Sequence, residues 1–554
     1  MNGWGLARIV PVLPLLVGLL LAAASLTPSL IPRGTFFQGV LAGASMAMGH
    51  MLTQFVLALW RSLEIPVLRG RWAVAAHMLV ALPVLATLFF CIAHARGWQN
   101  GLRERMGLPE LEVANTLQTA VVALAVFLVL YVIGLLIQGL FNLLRRRLAR
   151  HIPVRSANVL GLLLCAILVL IVTRDGMVNA GLRMADRSYA AAQYLTHPET
   201  PPPAEPWKPG SSESPISWEL MGRPGRNFVL NGPSAQAIAA FNGRPAKEPL
   251  RIYVGLAQDS DPQVRAGLAL QEMQRVGAFE RKVLVVSSPT GTGWMDPASY
   301  DALEYMHDGD VATVAVQYSY LQSPLALIFE TDSGLDQAEA LMRLVYEHWA
   351  AMPDNRRPRL YMHGISLGSW SSMHAFNVFQ MMNEPIDGAL WAGPPFPSTL
   401  WNQANAAREA GSPFVLPTVD DGRVIRYSSQ YATPLRSGRD WGRMRVLFMQ
   451  YASDPIVFYS PTALWREPVW MREAKAPDVS PELSFTPIVT QLQLTVDLLR
   501  STSTPPGYGH NYHVRDYIDA WSAVTEPEGW DETAAERLKA HCGHGELVGC
   551  ENGS

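Results

Sequence analysis

The amino-acid sequence predicts a helical membrane bundle of about five spans, followed by an α/β domain whose sheet is mostly parallel and doubly wound. Three observations carry this expectation. Long apolar stretches are confined to the first third of the 554 residues. A segment dense in Pro, Ser and Glu follows them. Beyond it, short runs of Val, Leu and Tyr alternate with amphipathic helical patterns, as in sheets covered on both faces. The chain divides accordingly into a transmembrane helical domain (1–175), an extracytoplasmic helix with a Pro-rich linker (176–245), an α/β domain of catalytic type (246–525) and a C-terminal tail (526–554).

Crossing the hydrocarbon as a helix takes roughly 20 apolar residues, because lipid offers no partner to an exposed backbone amide. Ile9–Leu26, Phe36–Leu59, Val74–Ala95, Leu117–Leu140 and the shorter Val159–Thr173 meet that requirement. Arginines then set the orientation, since short positively charged loops stay in the cytoplasm. Arg61, Arg69 and Arg71 follow the second stretch, and Arg145, Arg146, Arg147, Arg150 and Arg155 follow the fourth. With both loops inside, everything after Arg174 is expected outside. Arg8, an apolar run and LLAAAS also resemble a secretory signal with a cleavage site; cleavage would leave four spans and the same side for the C-terminal half. His50, Gln54 and His77 stand at membrane depth and are expected to face neighbouring helices.

Next comes THPETPPPAEPWKPGSSES, whose composition cannot bury enough apolar area to fold and favours an extended tether. A short polar helix near Ala180–Tyr194 is expected before it. From Arg251 onward the sequence reads strand (RIYVGLA), helix capped by Asp261, strand (KVLVVSS), helix, strand (VATVAVQYS), helix, strand (RLYMHGIS) and helix, with further strands at GALWAG and RVLFMQY. Glu304 and Asp308–Asp310 read as a solvated helix end.

Composition narrows the function. A net charge of −3, without a basic stripe interleaved with aromatics, argues against nucleic acid. Cys91 and Cys165 lie in apolar stretches and are expected as buried thiols. Cys542 and Cys550 could close a small disulfide loop in an oxidising compartment. Together with His541 and His544 they also suggest a metal clip, but the paired spacing of structural zinc sites is missing. Nothing in the sequence calls for a metal or a cofactor.

The stretch HGISLGS carries the chemistry. Gly364-Ile365-Ser366-Leu367-Gly368 follows a predicted strand and opens a predicted helix, the context that turns a common GxSxG into a nucleophile elbow. A side chain at Gly364 or Gly368 would collide with the neighbouring strand or helix. Ser366 would sit at a helix N-terminus, where the Leu367 N–H meets a developing oxyanion. A serine needs a base held by an acid, in the chain order serine, acid, histidine for this turn. Asp454, just after a late strand, is the candidate acid, with Asp420 and Asp421 as competitors in what resembles a hairpin turn. His510, in a Gly/Pro-rich loop, is the candidate base, with His513 as its rival. His363 and His374 read as packing residues. A second oxyanion donor is expected from the loop after KVLVVSS, at Thr290, Gly291 or Thr292, with the threonine hydroxyls as further candidates.

With these residues in place, the chain resembles a family of bacterial membrane-bound α/β-hydrolases that join an N-terminal multispan region to a C-terminal GxSxG domain. SLTPSLIPRG, RIYVGLAQDSD, SPTGTGWMDP, VAVQYSYLQSP, HGISLGS, YASDPIVFYSP and GYGHNYHVRDYIDAW carry the resemblance over nearly the whole chain. It implies an α/β-hydrolase domain with Ser366, Asp454 and His510 as the triad and SPTGTGW lining the site. The family's elbow has glutamate before the serine, whereas this chain has Ile365.

The resulting expectation is a membrane-tethered serine esterase, or acyltransferase, of the plasma membrane. Its partners are the bilayer and an acyl ester, taken to be a lipid or lipid-linked substrate. The competing expectation is a multispan transporter or receptor whose hydrolase-like domain only binds a ligand. Oligomeric state is not encoded in any feature of the sequence.

Overall fold

The computed structural model describes residues 12–63, 65–66, 70–113, 115–173, 201–321, 331–433, 440–543 and 549–550. Its N-terminal helices are α1 (Val12–Ala24), α2 (Thr35–Ser62), α3 (Arg71–Arg105), α4 (Thr116–Leu148) and α5 (Val154–Leu170). Four stretches are long and apolar enough to cross a membrane: Thr35–Trp60, Arg71–Arg105, Thr116–Leu148 and Val154–Thr173. The first of the five predicted spans is a shorter apolar helix over the described residues, 13 residues long. It stops at Ala24 because SLTPSLIPRG turns the chain there, with the Ser25 and Thr27 hydroxyls returning to the Ala22 and Ala24 carbonyls.

Glycines set how closely these helices approach. A Cβ on Gly39 would lie 2.6 Å from Val122 Cβ, and one on Gly18 would lie 2.7 Å from the Met46 carbonyl oxygen. Lipid tails are as apolar as leucine, so close backbone packing replaces the hydrophobic drive. His50 does face a neighbouring helix, edge-on to Phe127 and Tyr131 at 5.8 and 5.4 Å. Leu79, Phe89, Leu117 and Leu136 point outward.

The chain separates into two compact units, Met1–Met184 with Ser460–Arg500, and Ala185–Tyr459 with Ser501–Ser554. In the first, the helix Val489–Leu499 docks beside the α1–α2 turn. Asp497 Oδ2 accepts from Leu30 N (3.0 Å), Gln493 donates to the Thr27 carbonyl (3.0 Å) and Arg500 to the Pro32 carbonyl (2.9 Å). No composition signal marks this excursion.

The second unit is built on seven strands, all parallel: β1 (Leu250–Val254), β2 (Val283–Ser288), β3 (Val311–Val316), β4 (Arg359–Ile365), β5 (Gly388–Ala392), β6 (Ile425–Ser428) and β7 (Arg445–Met449), in the order β1-β3-β2-β4-β5-β7-β6. Every residue of β1, β2, β3 and β5 is buried, which explains their predominantly apolar runs. The helix Val514–Thr525 covers one face with Tyr517, Ile518 and Trp521. Residues from 201 onward are pinned to this unit rather than extended. Arg275 donates to the Pro206 carbonyl, and Ser214 Oγ bonds Glu272 Oε1 at 2.9 Å. The helix expected near Ala180–Tyr194 lies outside the described residues.

Glu304 is not solvated. It is buried and clamps Arg251 of β1 through both oxygens (2.7 and 2.8 Å), while Asp301 takes the same guanidinium at 2.6 Å. A buried arginine requires such counter-charges, and burial pushes the Glu304 carboxyl up to about 7. Cys542 and Cys550 are disulfide-bonded, and Cys550 N donates to the second oxygen of Asp301 at 3.0 Å.

Candidate active site

β4 delivers Ser366 to the carboxyl edge of the sheet, where parallel α/β folds bind ligands. The turn into the helix Leu367–His374 forces Ser366 to φ 58°, ψ −130°, a conformation costly for any residue with a side chain. Backbone hydrogen bonds hold it there. Its N–H donates to the Ala392 carbonyl (3.0 Å), and its own carbonyl accepts from Ser369 N (2.9 Å) and Ser369 Oγ (2.7 Å). A Cβ at Gly364 would collide with the Gly368 backbone, and one at Gly368 would lie 2.7 Å from the Pro289 carbonyl oxygen. Both glycines are therefore obligatory. Leu367 begins the helix, so its N–H has no helical acceptor.

Asp454 follows β7 and is completely buried. Its Oδ1 accepts from Ile456 N at 2.8 Å, which fixes the carboxylate plane. Oδ2 accepts from His510 Nδ1 and from the Tyr512 hydroxyl, each at 2.7 Å. The His510 backbone is tied to the Ser501 carbonyl (2.8 Å), and Gly509 N to Ser453 Oγ (2.9 Å). His510 Nε2 and Ser366 Oγ are both buried without a hydrogen-bond partner among the described residues. They flank one stretch of backbone: Ser366 N bonds Ala392, and the His510 ring lies against Gly393.

The loop after β2 covers the elbow. Tyr253 OH holds the Gly293 carbonyl (2.8 Å), and Gln317 Nε2 the Thr292 carbonyl (3.3 Å). Thr290 N–H is committed to Trp294 O (3.1 Å), and Thr290 Oγ1 sits 3.3 Å from Thr292 Oγ1. Of the three candidate amides, the geometry therefore disfavours Thr290. Asp296, at the end of this loop, caps the helix Pro297–Met306 through Ala298 N. Burial pushes its carboxyl up to about 7.

The rivals have other occupations. His513 Nδ1 caps the helix Val514–Thr525 by accepting from Arg515 N (3.1 Å). Asp420 pairs on the surface with Arg423, in a 3₁₀ turn rather than a hairpin. His363 Nδ1 lies 2.6 Å from the Leu390 carbonyl and Nε2 2.9 Å from Ser299 Oγ, and burial lowers its pKa to about 4, so it stays neutral. His374 is exposed, 3.9 Å from Glu339. Among the described residues no group of His, Cys, Asp or Glu is arranged to hold a metal.

Residues 250–538 match the family described as the alpha/beta-hydrolase family, and residues 26–233 match the N-terminus of the same family. The chain belongs to the alpha/beta-hydrolase family. Comparison with curated proteins and with solved structures gave no match. In this α/β-hydrolase the residues that sequence reasoning passed over are Tyr512, Gly393, Tyr253 and Gln317. Tyr512 lies two residues after His510 and reaches the same Asp454 oxygen. Gly393 directly follows β5 with φ 54°. Tyr253 and Gln317 sit at the carboxyl ends of β1 and just past β3, neighbours only after the strands are ordered.

Proposed function

We propose that this α/β-hydrolase is a membrane-anchored serine hydrolase that cleaves, or transfers, the acyl group of an ester presented by the bilayer. Ser366 Oγ attacks the acyl carbonyl while His510 Nε2 takes its proton. Asp454 orients the imidazole and stabilises the imidazolium that forms. The Leu367 N–H and an amide of the 290–292 loop, Gly291 in first place, meet the tetrahedral oxyanion, an interaction worth about 3 kcal/mol per donor. Collapse releases the alcohol, protonated by His510, and leaves an acyl-enzyme. Water, or a second alcohol, then reverses the sequence.

The observation that carries this reading is the coincidence of an unpartnered serine hydroxyl at a strained elbow with an imidazole whose other nitrogen is held by a buried carboxylate. The Arg-rich loops after α2 and α4 and the Cys542–Cys550 disulfide support an extracytoplasmic catalytic domain. Four long apolar helices exceed what a tether requires, which supports a lipid or lipid-linked ester as substrate. A fluorophosphonate probe tests it. Labelling of the wild type and not of Ser366→Ala is expected; absence of labelling on folded protein would favour a transporter or receptor with a ligand-binding module.

A further inference from the structure

The membrane unit carries a site of its own, and its chemistry can be read without reference to the serine. A cavity of about 400 Å³ runs between α1, α2, α3 and α4, within the size range of small-molecule sites. Its lining is graded. Polar groups gather at the level of the α1–α2 turn, the end of α3 and the start of α4: Arg33, Gln38, Gln99 and Thr116. Deeper along the same helices the walls are Ala42, Met46, Leu88 and Leu124. From Thr35 to Met46 a helix advances about 16 Å at 1.5 Å per residue, so the apolar part is long.

Arg33 is the unusual member. It is 3% exposed, its backbone N–H is held by Gln99 Oε1 (2.8 Å), and Nη2 reaches the Thr27 carbonyl (2.6 Å). Its Nε and Nη1, together with Gln99 Nε2, are buried without a partner among the described residues. Buried donors of a cation are seldom left unsatisfied, because the desolvation cost is uncompensated. Beside Arg33 the described residues offer one carboxylate, Asp497, which is itself engaged by Leu30 N. Arg96, also on the cavity wall, is more exposed and bonds the Leu111 carbonyl. A bound anion would meet the donors that Arg33 and Gln99 leave open among the described residues.

We propose that this cavity binds a single-chain monoanionic amphiphile, a long-chain fatty acid, with its carboxylate at Arg33 and Gln99 and its alkyl chain between α1, α2, α3 and α4. A volume of about 400 Å³ is that of roughly one long alkyl chain and not of the two of a phospholipid. The carboxylate meets the Arg33 and Gln99 donors that have no partner among the described residues.

The test uses the full-length protein in lipid nanodiscs and a palmitate analogue bearing a mid-chain diazirine and a terminal alkyne. Saturable photolabelling is expected, competed by palmitate and at least about tenfold less well by hexadecanol, the discrimination a charge-assisted hydrogen bond provides. Adducts should map to the inward residues of α2 and α4 around Ala42 and Ala123. Arg33→Gln should weaken competition about tenfold or more. Because Arg33 is buried and its loss could disturb folding, Ala120→Phe serves as the second variant, since it narrows the cavity from an exposed position with every polar group intact; it should abolish saturable labelling. Labelling that is unsaturable or spread over the outward faces overturns the proposal. So does equal competition by hexadecanol, stronger competition by a phosphatidylglycerol, or indifference to Ala120→Phe.

Discussion

The His510 imidazole lies directly on the backbone of Gly393, so closely that a Cβ added there would stand 2.9 Å from Nδ1 and collide with Cε1. Gly393 also has φ 54°, a region that L side chains rarely adopt, and its N–H is fixed to the Met449 carbonyl at 2.9 Å. The end of β5 therefore acts as a bare floor on which the ring is seated. In Gly393→Ala the floor cannot yield, since the strand is paired on both sides, so the ring must move. A displacement of about 1 Å at a reacting group costs on the order of 100-fold in rate. The expected outcome is a loss of that size in the fluorophosphonate labelling rate, with circular dichroism and detergent-solubilised yield close to wild type. Unchanged labelling would show that the ring's seat is irrelevant to the serine's reactivity.

Tyr512 donates to the same Asp454 oxygen that receives His510 Nδ1. Burial first, and then the charge of Asp454, hold its phenol well above its ordinary pKa, so it remains a donor throughout the accessible pH range. Tyr512→Phe removes this bond while keeping the ring that stacks on Tyr451 at 4.4 Å. Hydrogen bonds to charged acceptors contribute about 1.5–3 kcal/mol. The variant is expected to lose roughly that much stability, measured by thermal unfolding, and to label about tenfold more slowly, because the carboxylate that orients the imidazole is less firmly held. Asp454→Asn should label far more slowly than Tyr512→Phe. If the two variants behave alike, the hydroxyl and not the carboxylate dominates the orientation of His510.

Much of this was legible because it obeys local rules. GxSxG between an apolar run and a helix has one compact solution, and the collisions at Gly364 and Gly368 are what that solution demands. Alternating short apolar runs gave six of the seven strands; β6 escaped because IRYS is four residues long and mostly polar, at the edge of the sheet. What local pattern could not reveal is whatever depends on strand order or on distant pairing. Glu304 sits in a sequence that reads as polar helix, and only the arrival of Arg251 from β1 makes its burial tolerable. The Pro-rich segment after residue 201 has a disordered composition, yet Arg275 holds its carbonyls. Tyr253 and Gln317, 64 residues apart in the chain, clamp the same loop, a relation visible only once β1 and β3 are known to be adjacent.

Asp296 links the loop after β2 to pH. It is buried, caps a helix through its side chain, and has its pKa pushed from 3.8 to about 7 by burial. The sign follows from proton counting. Between about pH 4 and pH 7 the folded chain keeps this proton while the unfolded chain has lost it, so the folded state binds more protons and stability falls as pH rises through that window. Above pH 7 both states are ionised and the loss is complete, on the order of a few kcal/mol at 1.36 kcal/mol per pKa unit. Asn is an equally good helix cap but does not titrate. Asp296→Asn is therefore expected to match wild type in thermal unfolding near pH 4 and to exceed it increasingly toward pH 8. A parallel pair of stability curves across that range would mean that Asp296 is ionised in the folded protein and that the Tyr517 hydroxyl and the Ala298 amide together compensate its burial.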